Sequence, residues 1–203
     1  EGALNEVSNI LIRMRELSVQ SATGTLGNEE RVYLHSEFLD LMDEITRIAS
    51  VTEFNGQKLL DGSTSTGIAF QVGLHNVSMD RITVSIMGAF PSTLGSTGNS
   101  ILSQSLSTVT GSRNAMSVID RAIQDISGIR GDLGAAQNRL ATTVKNLATQ
   151  RENLSAANSR IRDVDVAAET VNLTRSQILM QAGVSVLAQA NQLPSMALSL
   201  IGG

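Results

Sequence analysis

The sequence predicts a mainly α protein: a long antiparallel helical bundle, or coiled-coil rod, with one small β-hairpin. Three observations predict this fold class. Apolar residues recur at helical spacing over most of the 203 residues. Aromatic residues make up only 2% of the chain, so the core must come from Leu, Ile, Val, Met and Ala, which suits long helices packed side by side. Only one region changes to the alternating pattern of a strand.

The first two helices form the predicted start of the bundle. Residues 3–22 carry a stripe at spacings of three and four, namely Leu4, Val7, Leu11, Met14 and Ser18, with Leu17 beside it. No capping residue precedes Glu1, and we expect this helix to begin upstream. The second helix is predicted over 28–49, with Asn28 as its N-cap and acidic residues on the positive end of the helix dipole. A short loop between two amphipathic helices predicts an antiparallel hairpin.

A β-hairpin is predicted over about 67–87. The dipeptides Asn55-Gly56 and Asp61-Gly62 predict turns before it. Apolar residues then alternate along 67–74 and again along 81–87, which is the pattern of two half-buried strands. Residues 90–112 are rich in Ser, Thr and Gly and contain Pro91, so they predict a surface loop.

A long third helix is predicted over 113–161. Its apolar residues lie seven apart, in the order Ile119, Ile126, Leu133, Leu140, Leu147, Leu154 and Ile161. Asp163 and Asp165 fit a cap better than a helix interior, so the helix should stop there and a new one begin. We expect that last helix to end before Pro194, because the residue before a proline disfavours helix. The predicted domains are therefore a rod-like core, 1–162, and a C-terminal helical segment, 163–203.

The C-terminal tail has no charged side chain from Ser176 to Gly203. Its apolar runs are shorter than the ~18 residues of a membrane span, and Gln and Ser interrupt them. A helix without a charged face needs partners on several sides, which predicts packing against other copies of the chain. The residues expected in that packing are Ile178, Leu179, Ala182, Val186, Leu187, Ala190 and Leu193.

The composition argues against catalysis and against several kinds of partner. The chain has no cysteine, which excludes disulfides and thiolate chemistry, and its net charge of −4 gives no reason to expect nucleic acid or a membrane surface. His35 and His75 are expected on the solvated surface, with no metal site. Asp40, Asp43 and Glu44 are interpreted as a solvated helix face. We therefore predict no enzyme and no cofactor.

Several motifs, in this order, resemble bacterial flagellin, the subunit of the flagellar filament. They are "EGALNEV", "IRMRELSVQSA", "TEFNGQKLL", "LGAAQNRL", "NLSAANSRIRDVD" and "QILMQAGVSVLAQANQLP". The resemblance covers essentially the whole chain. It implies a minimal form that lacks the N-terminal segment and the variable outer domains of the family. In such a protein residues 1–162 would build the outer tube of the filament, and residues from about 163 would line the inner tube.

The resemblance also implies function and partners. The implied function is a secreted structural subunit that polymerises into the extracellular filament for swimming motility, exported through the flagellar channel without a cleaved signal peptide. Implied partners are further copies of the chain, an export chaperone on the C-terminal segment, and the filament cap and hook-junction proteins. Two alternatives stay open: a hook–filament junction protein, and a chemoreceptor-like helical signalling stalk.

The stretch "RMREL" resembles the part of flagellins that an innate-immune Toll-like receptor recognises. The residues implied in this subunit and receptor interface are Arg13, Arg15, Glu16, Leu17 and Glu37. Arg13 and Leu17 are four residues apart on one side of the helix, so we expect them to share an exposed face. Leu17 also fits a position that packs inside the bundle, where Arg and Glu would make surface pairs.

Overall fold

A computed structural model describes residues 1–96 and 98–202, which form four α-helices and six short strands. The helices are α1 (Gly2–Ser21), α2 (Asn28–Val51), α3 (Val109–Arg162) and α4 (Val166–Ile201). The strands are β1 (Glu53–Phe54), β2 (Gln57–Lys58), β3 (Ile68–Gln71), β4 (Arg81–Val84), β5 (Gly95–Ser96) and β6 (Asn99–Ser100). The mainly α class is confirmed.

The chain divides into two compact units, Glu1–Lys145 and Asn146–Gly203. The division falls within α3, because only the first part of that helix packs against other elements of the first unit. The predicted domains are 1–162 and 163–203. They are defined by the expected place of each segment in an assembly, and they stay a prediction.

The core of the first unit is built by α1, α2, the first part of α3 and the segments that connect them. The predicted stripe on α1 is buried throughout. It packs with apolar residues of the other elements, among them Phe38, Ile45, Ile82, Leu94, Ile101, Leu106, Ile119 and Ile126. Two ion pairs join α1 to α3: Arg15 Nε lies 2.6 Å from Asp120 Oδ1, and Arg130 Nε lies 2.6 Å from Glu1 Oε1. Since residue numbers rise on one helix as they fall on the other, α1 and α3 are antiparallel.

The β-hairpin is confirmed, and two further strand pairs accompany it. Strands β3 and β4 are antiparallel, with Ile68 opposite Val84 and Gln71 opposite Arg81. Strands β1 and β2 form a tight hairpin around Asn55 and Gly56, which both have positive φ. Strands β5 and β6 lie inside the predicted surface loop. Four residues are too few for alternation to be visible, so the sequence did not predict these pairs.

The helix starts differ from the predicted ones. The N-cap of α2 is Gly27 rather than Asn28, which is the first helical residue. Gly27 has the extended backbone conformation that is usual for an N-cap residue. Helix α3 begins at Val109, four residues before the predicted start, and Gly111 N donates to Thr108 Oγ1 at that end. The predicted loop 90–112 is therefore too long.

The predicted end of the C-terminal helix before Pro194 is wrong. Helix α4 continues to Ile201. A proline removes one backbone hydrogen bond of a helix and crowds the preceding turn, which costs about 3 kcal/mol. Residues 196–201 are mostly Ala, Leu, Met and Ile, which favour helix, and they extend the helix on the far side of the proline.

The heptad stripe of α3 is core in its first half only. Ile119 and Ile126 are buried, and Leu133 and Leu140 are half-buried against the core. The last three residues are exposed: Leu147 by 41%, Leu154 by 61% and Ile161 by 88%. The heptad spacing therefore continues past the buried core, and its last three residues are not part of that core.

The buried Arg31 fixes the α1–α2 loop. This role of the arginine was not predicted from the sequence. Its side chain is only 4% exposed. Its guanidinium donates to three backbone carbonyls of the end of α1 and the loop: Ser21 at 2.6 Å, Thr23 at 3.0 Å and Leu26 at 3.0 Å. These carbonyls have no helical partner at the end of α1, so the arginine satisfies them where the chain reverses.

A hydroxyl chain fixes the start of α3 to the same place. Ser21 Oγ donates to the carbonyl of Leu106 at 2.7 Å, and Ser112 Oγ donates to Ser21 Oγ at 2.9 Å. Both serines are buried, so each bond also avoids the cost of an unsatisfied polar group. The ends of α1, α2 and α3 are therefore joined by polar contacts as well as by the apolar core.

We predict that Arg31→Ala destabilises the first unit by about 2–4 kcal/mol, since three charge-assisted hydrogen bonds are lost. The matched control is Arg47→Ala on the same helix, because Arg47 is exposed and its ion pair is with the neighbouring Glu44. Urea unfolding followed by circular dichroism measures both variants. An unchanged midpoint for Arg31→Ala would show that the loop does not depend on this arginine.

We also predict that the two halves of the α3 stripe respond differently to truncation. Ile126→Ala should cost about 2–4 kcal/mol, because it leaves a cavity in the core. Leu147→Ala should cost less than about 1 kcal/mol in the monomer, because the side chain is already exposed. The measurement is again the free energy of unfolding. Equal losses for the two variants would contradict the division of the stripe.

Candidate assembly surfaces

Arg13 and Glu37 form an ion pair between α1 and α2. Arg13 donates to Glu37 Oε1 from Nε at 3.1 Å and from Nη2 at 2.8 Å, and its Nη1 donates to Glu16 at 3.2 Å. These hydrogen bonds raise the pKa of the Arg13 guanidinium, and the bonds to Glu37 contribute more than the bond to Glu16. The three side chains are about half exposed. The structure therefore brings together three of the five residues predicted for the interface.

The other two predicted residues point elsewhere. Arg15 lies on another side of α1 and pairs with Asp120 of α3. Leu17 is buried in the core at 1% exposure. The expectation that Leu17 shares an exposed face with Arg13 is wrong. Four residues make slightly more than one helical turn, so Leu17 is rotated away from Arg13 and joins the buried stripe of α1. The packing alternative holds for this residue.

The second unit exposes its apolar side chains. From Asn146 to Gln192, every residue is exposed. The predicted packing residues Ile178, Leu179, Ala182, Val186, Leu187 and Ala190 lie on α4 within this range. The side chain of the seventh, Leu193, lies outside the described part of the structure. Such a surface is typical of a segment that contacts another protein or another part of an assembly.

The two histidines lie in different surroundings. His35 is half-buried, not solvated as expected: its ring stacks on Phe38, with centroids 6.4 Å apart. His75 is exposed and lies 3.4 Å from an Asp80 oxygen. Within residues 1–96 and 98–202, no three His, Asp or Glu side chains are grouped as metal ligands.

Sequence reasoning missed several exposed apolar residues of the first unit. Tyr33 on α2, Phe54 on β1 and two residues of the β3–β4 loop, Leu74 and Met79, are all largely exposed. Phe54 immediately precedes the Asn-Gly turn and lies opposite Gln57 in the short β1–β2 hairpin. Over residues 1–96 and 98–202, no helix combines the length and the apolar character needed to cross a membrane.

Comparisons with known proteins agree on one family. Residues 1–65 match the family model of the bacterial flagellin N-terminal helical region, and residues 116–201 match that of the C-terminal helical region. The chain is 42% identical over 201 residues to a flagellin of Halalkalibacterium halodurans, covering 99% of this chain and 72% of that protein. It is 40% identical to the flagellar filament 33 kDa core protein of Treponema phagedenis, covering 99% and 73%.

A solved structure supports the same relationship. The crystal structure of Bacillus cereus flagellin is 33% identical, with a TM-score of 0.58, and the match covers 77% of this chain and 86% of that chain. The N-terminal family model covers α1 and α2, and the C-terminal family model covers most of α3. The chain therefore belongs to the bacterial flagellin family.

Proposed function

We propose that this chain is a structural subunit of the bacterial flagellar filament, outside the cell, where many copies polymerise to transmit the rotation of the motor. One observation carries the proposal: the segment 146–192 exposes every side chain although much of it is apolar. The similarity to flagellins and to a filament core protein supports it.

The exposed segment has the chemistry of a surface that is covered in an assembly. Burial of a Leu, Ile or Val side chain gains about 1.5–3 kcal/mol relative to exposure, so several such residues favour association. The tail from Ser176 carries no charge, which means that covering it desolvates no ion. Gln and Ser side chains supply hydrogen bonds between neighbouring helices without that cost.

The same surface explains why partners would be needed before assembly. A free apolar helix associates unspecifically, and an export chaperone bound to the C-terminal segment would prevent this. The filament cap and the hook-junction proteins would contact the subunits at the two ends of the polymer. These partners follow from membership of the family and belong to the proposal.

We expect the full-length protein to form filaments that sediment and are visible by electron microscopy. Leu187→Asp should lower the polymer fraction without changing the circular dichroism or melting of the monomer, because Leu187 is exposed on α4. Leu187→Met is the matched control, because it keeps an apolar side chain at the same position, and it should polymerise like the parent. A parent protein that forms no filaments would refute the filament role and favour a junction protein or a signalling stalk.

A second proposed function is recognition by an innate-immune Toll-like receptor through the Arg13 surface, defined here as Arg13, Glu16 and Glu37. The favouring observation is that the ion pair with Glu37 holds the arginine in place on a half-exposed surface spanning two helices. An arginine that is already oriented loses less conformational entropy on binding, and arginines are frequent in interaction hot spots.

We predict that Arg13→Ala weakens receptor binding by the monomer about tenfold or more, while the fold is unchanged. Arg47→Ala removes another exposed arginine of the same unit and should leave binding unaffected. Receptor affinity is measured for parent, variants and sheared filaments, with circular dichroism as the check on folding. Undiminished binding by folded Arg13→Ala would remove the arginine from the site. Filament sides that bind as well as the monomer would show that neighbouring subunits do not cover this surface.

A further inference from the structure

A groove lies between the β3–β4 hairpin and α3, within the first unit. One compartment of about 550 Å³ has an apolar lining from the hairpin and a polar lining from the helix, including Val72, Met79, Ile82, Arg81, Arg139 and Thr142. A second compartment of about 250 Å³ adjoins it, since Arg139 lines both. Arg139 is therefore shared by the two compartments, which both lie between the hairpin and α3.

Two guanidinium groups, those of Arg81 and Arg139, line the larger compartment beside apolar side chains of the hairpin. Arg81 donates to the side chain of Asn76, and the Arg139 guanidinium makes no ion pair or hydrogen bond with the described residues. The acidic residue among the lining residues is Asp132, in the smaller compartment. The neighbouring Asp80 carboxylate accepts a hydrogen bond from the His75 backbone at 2.7 Å. An apolar surface flanked by arginines fits a partner that presents apolar side chains beside carboxylates.

The outer face of α2 has this complementary composition. The helix Asn28–Val51 contains six carboxylates and two arginines, a net charge of −4. Val32 and Leu39 are exposed apolar residues seven positions apart, and Asp43 follows Leu39 by four positions, so they share one face. Asp40 and Asp43 are exposed, and within the described part of the chain neither carboxylate makes an ion pair.

We propose that this α2 face (Val32, Leu39, Asp40 and Asp43) occupies the groove of a second copy of the chain. The inference rests on the proposed filament function and names one of the contacts within it. The groove and the α2 face are different surfaces, so the contact is heterologous, and a heterologous contact that does not close on itself propagates into an open helical array. This contact is separate from the Arg13 surface, because Glu37 lies on the side of α2 that faces α1.

Charge reversal tests the contact from both sides in the full-length protein. The groove variant is Arg81→Glu with Arg139→Glu, and the face variant is Asp40→Arg with Asp43→Arg. Each variant alone opposes like charges, and its critical concentration for polymerisation should rise about tenfold or more. Glu6→Arg, an exposed charge reversal on α1, is the control and should polymerise like the parent.

An equimolar mixture of the two variants gives the decisive result. In the mixture every groove can meet an α2 face of opposite charge, so alternating copolymers should form near the critical concentration of the parent. Circular dichroism and melting of each monomer verify folding, and Arg139→Glu alone replaces the groove variant if the Arg81 change disturbs the hairpin.

The possible failures are distinguishable. If the parent forms filaments but the mixture shows no rescue, the groove contact alone is overturned. The same holds if the parent forms filaments and each variant polymerises as well as the parent does. A parent protein that forms no filaments would overturn the proposed function and this contact with it.

Discussion

The structure depends on one constraint: apolar stripes that recur along helices have to be covered, and this chain covers them in only part of its length. In the first unit the stripe of α1 closes against α2 and the beginning of α3, and the hairpin extends this core. In the segment 146–192 the same kind of residue stays exposed. The first unit thus has a buried core, whereas the segment 146–192 leaves its apolar side chains exposed. This exposure is the physical reason for proposing that further protein packs against the segment.

Polar contacts orient the helices of the first unit. The buried Arg31 and the serine chain join the ends of three helices where the apolar core stops. The ion pair of Arg13 with Glu37 and that of Arg15 with Asp120 link α1 to its two neighbours. Since these contacts orient the helices about one another, the outer faces proposed for recognition and for subunit contacts have a defined geometry before any partner binds.

Much of the fold was predictable because its signals are periodic and local. The α1 stripe, the Asn55-Gly56 turn and the alternation of β3 and β4 each use a pattern of short range. The misplaced features depend on contacts that no pattern in sequence contains. Leu17 and Arg13 fit the same helical spacing, and only the position of α2 and α3 shows that the leucine is inside. Likewise, Leu147 repeats the pattern of Ile126, but Ile126 is buried and Leu147 is exposed. Arg31 looks like any surface arginine until the loop carbonyls surround it.

Amide hydrogen exchange along 166–192 measures whether this segment is packed in the monomer or only in the assembly. Helical hydrogen bonds without tertiary packing open readily, because most helical stability in proteins comes from a packed face. We expect fast exchange over this range in a dilute, partner-free monomer and strong protection in the assembled polymer, with the core of the first unit protected in both. Strong protection of 166–192 in the monomer, or equally weak protection in the polymer, would contradict it.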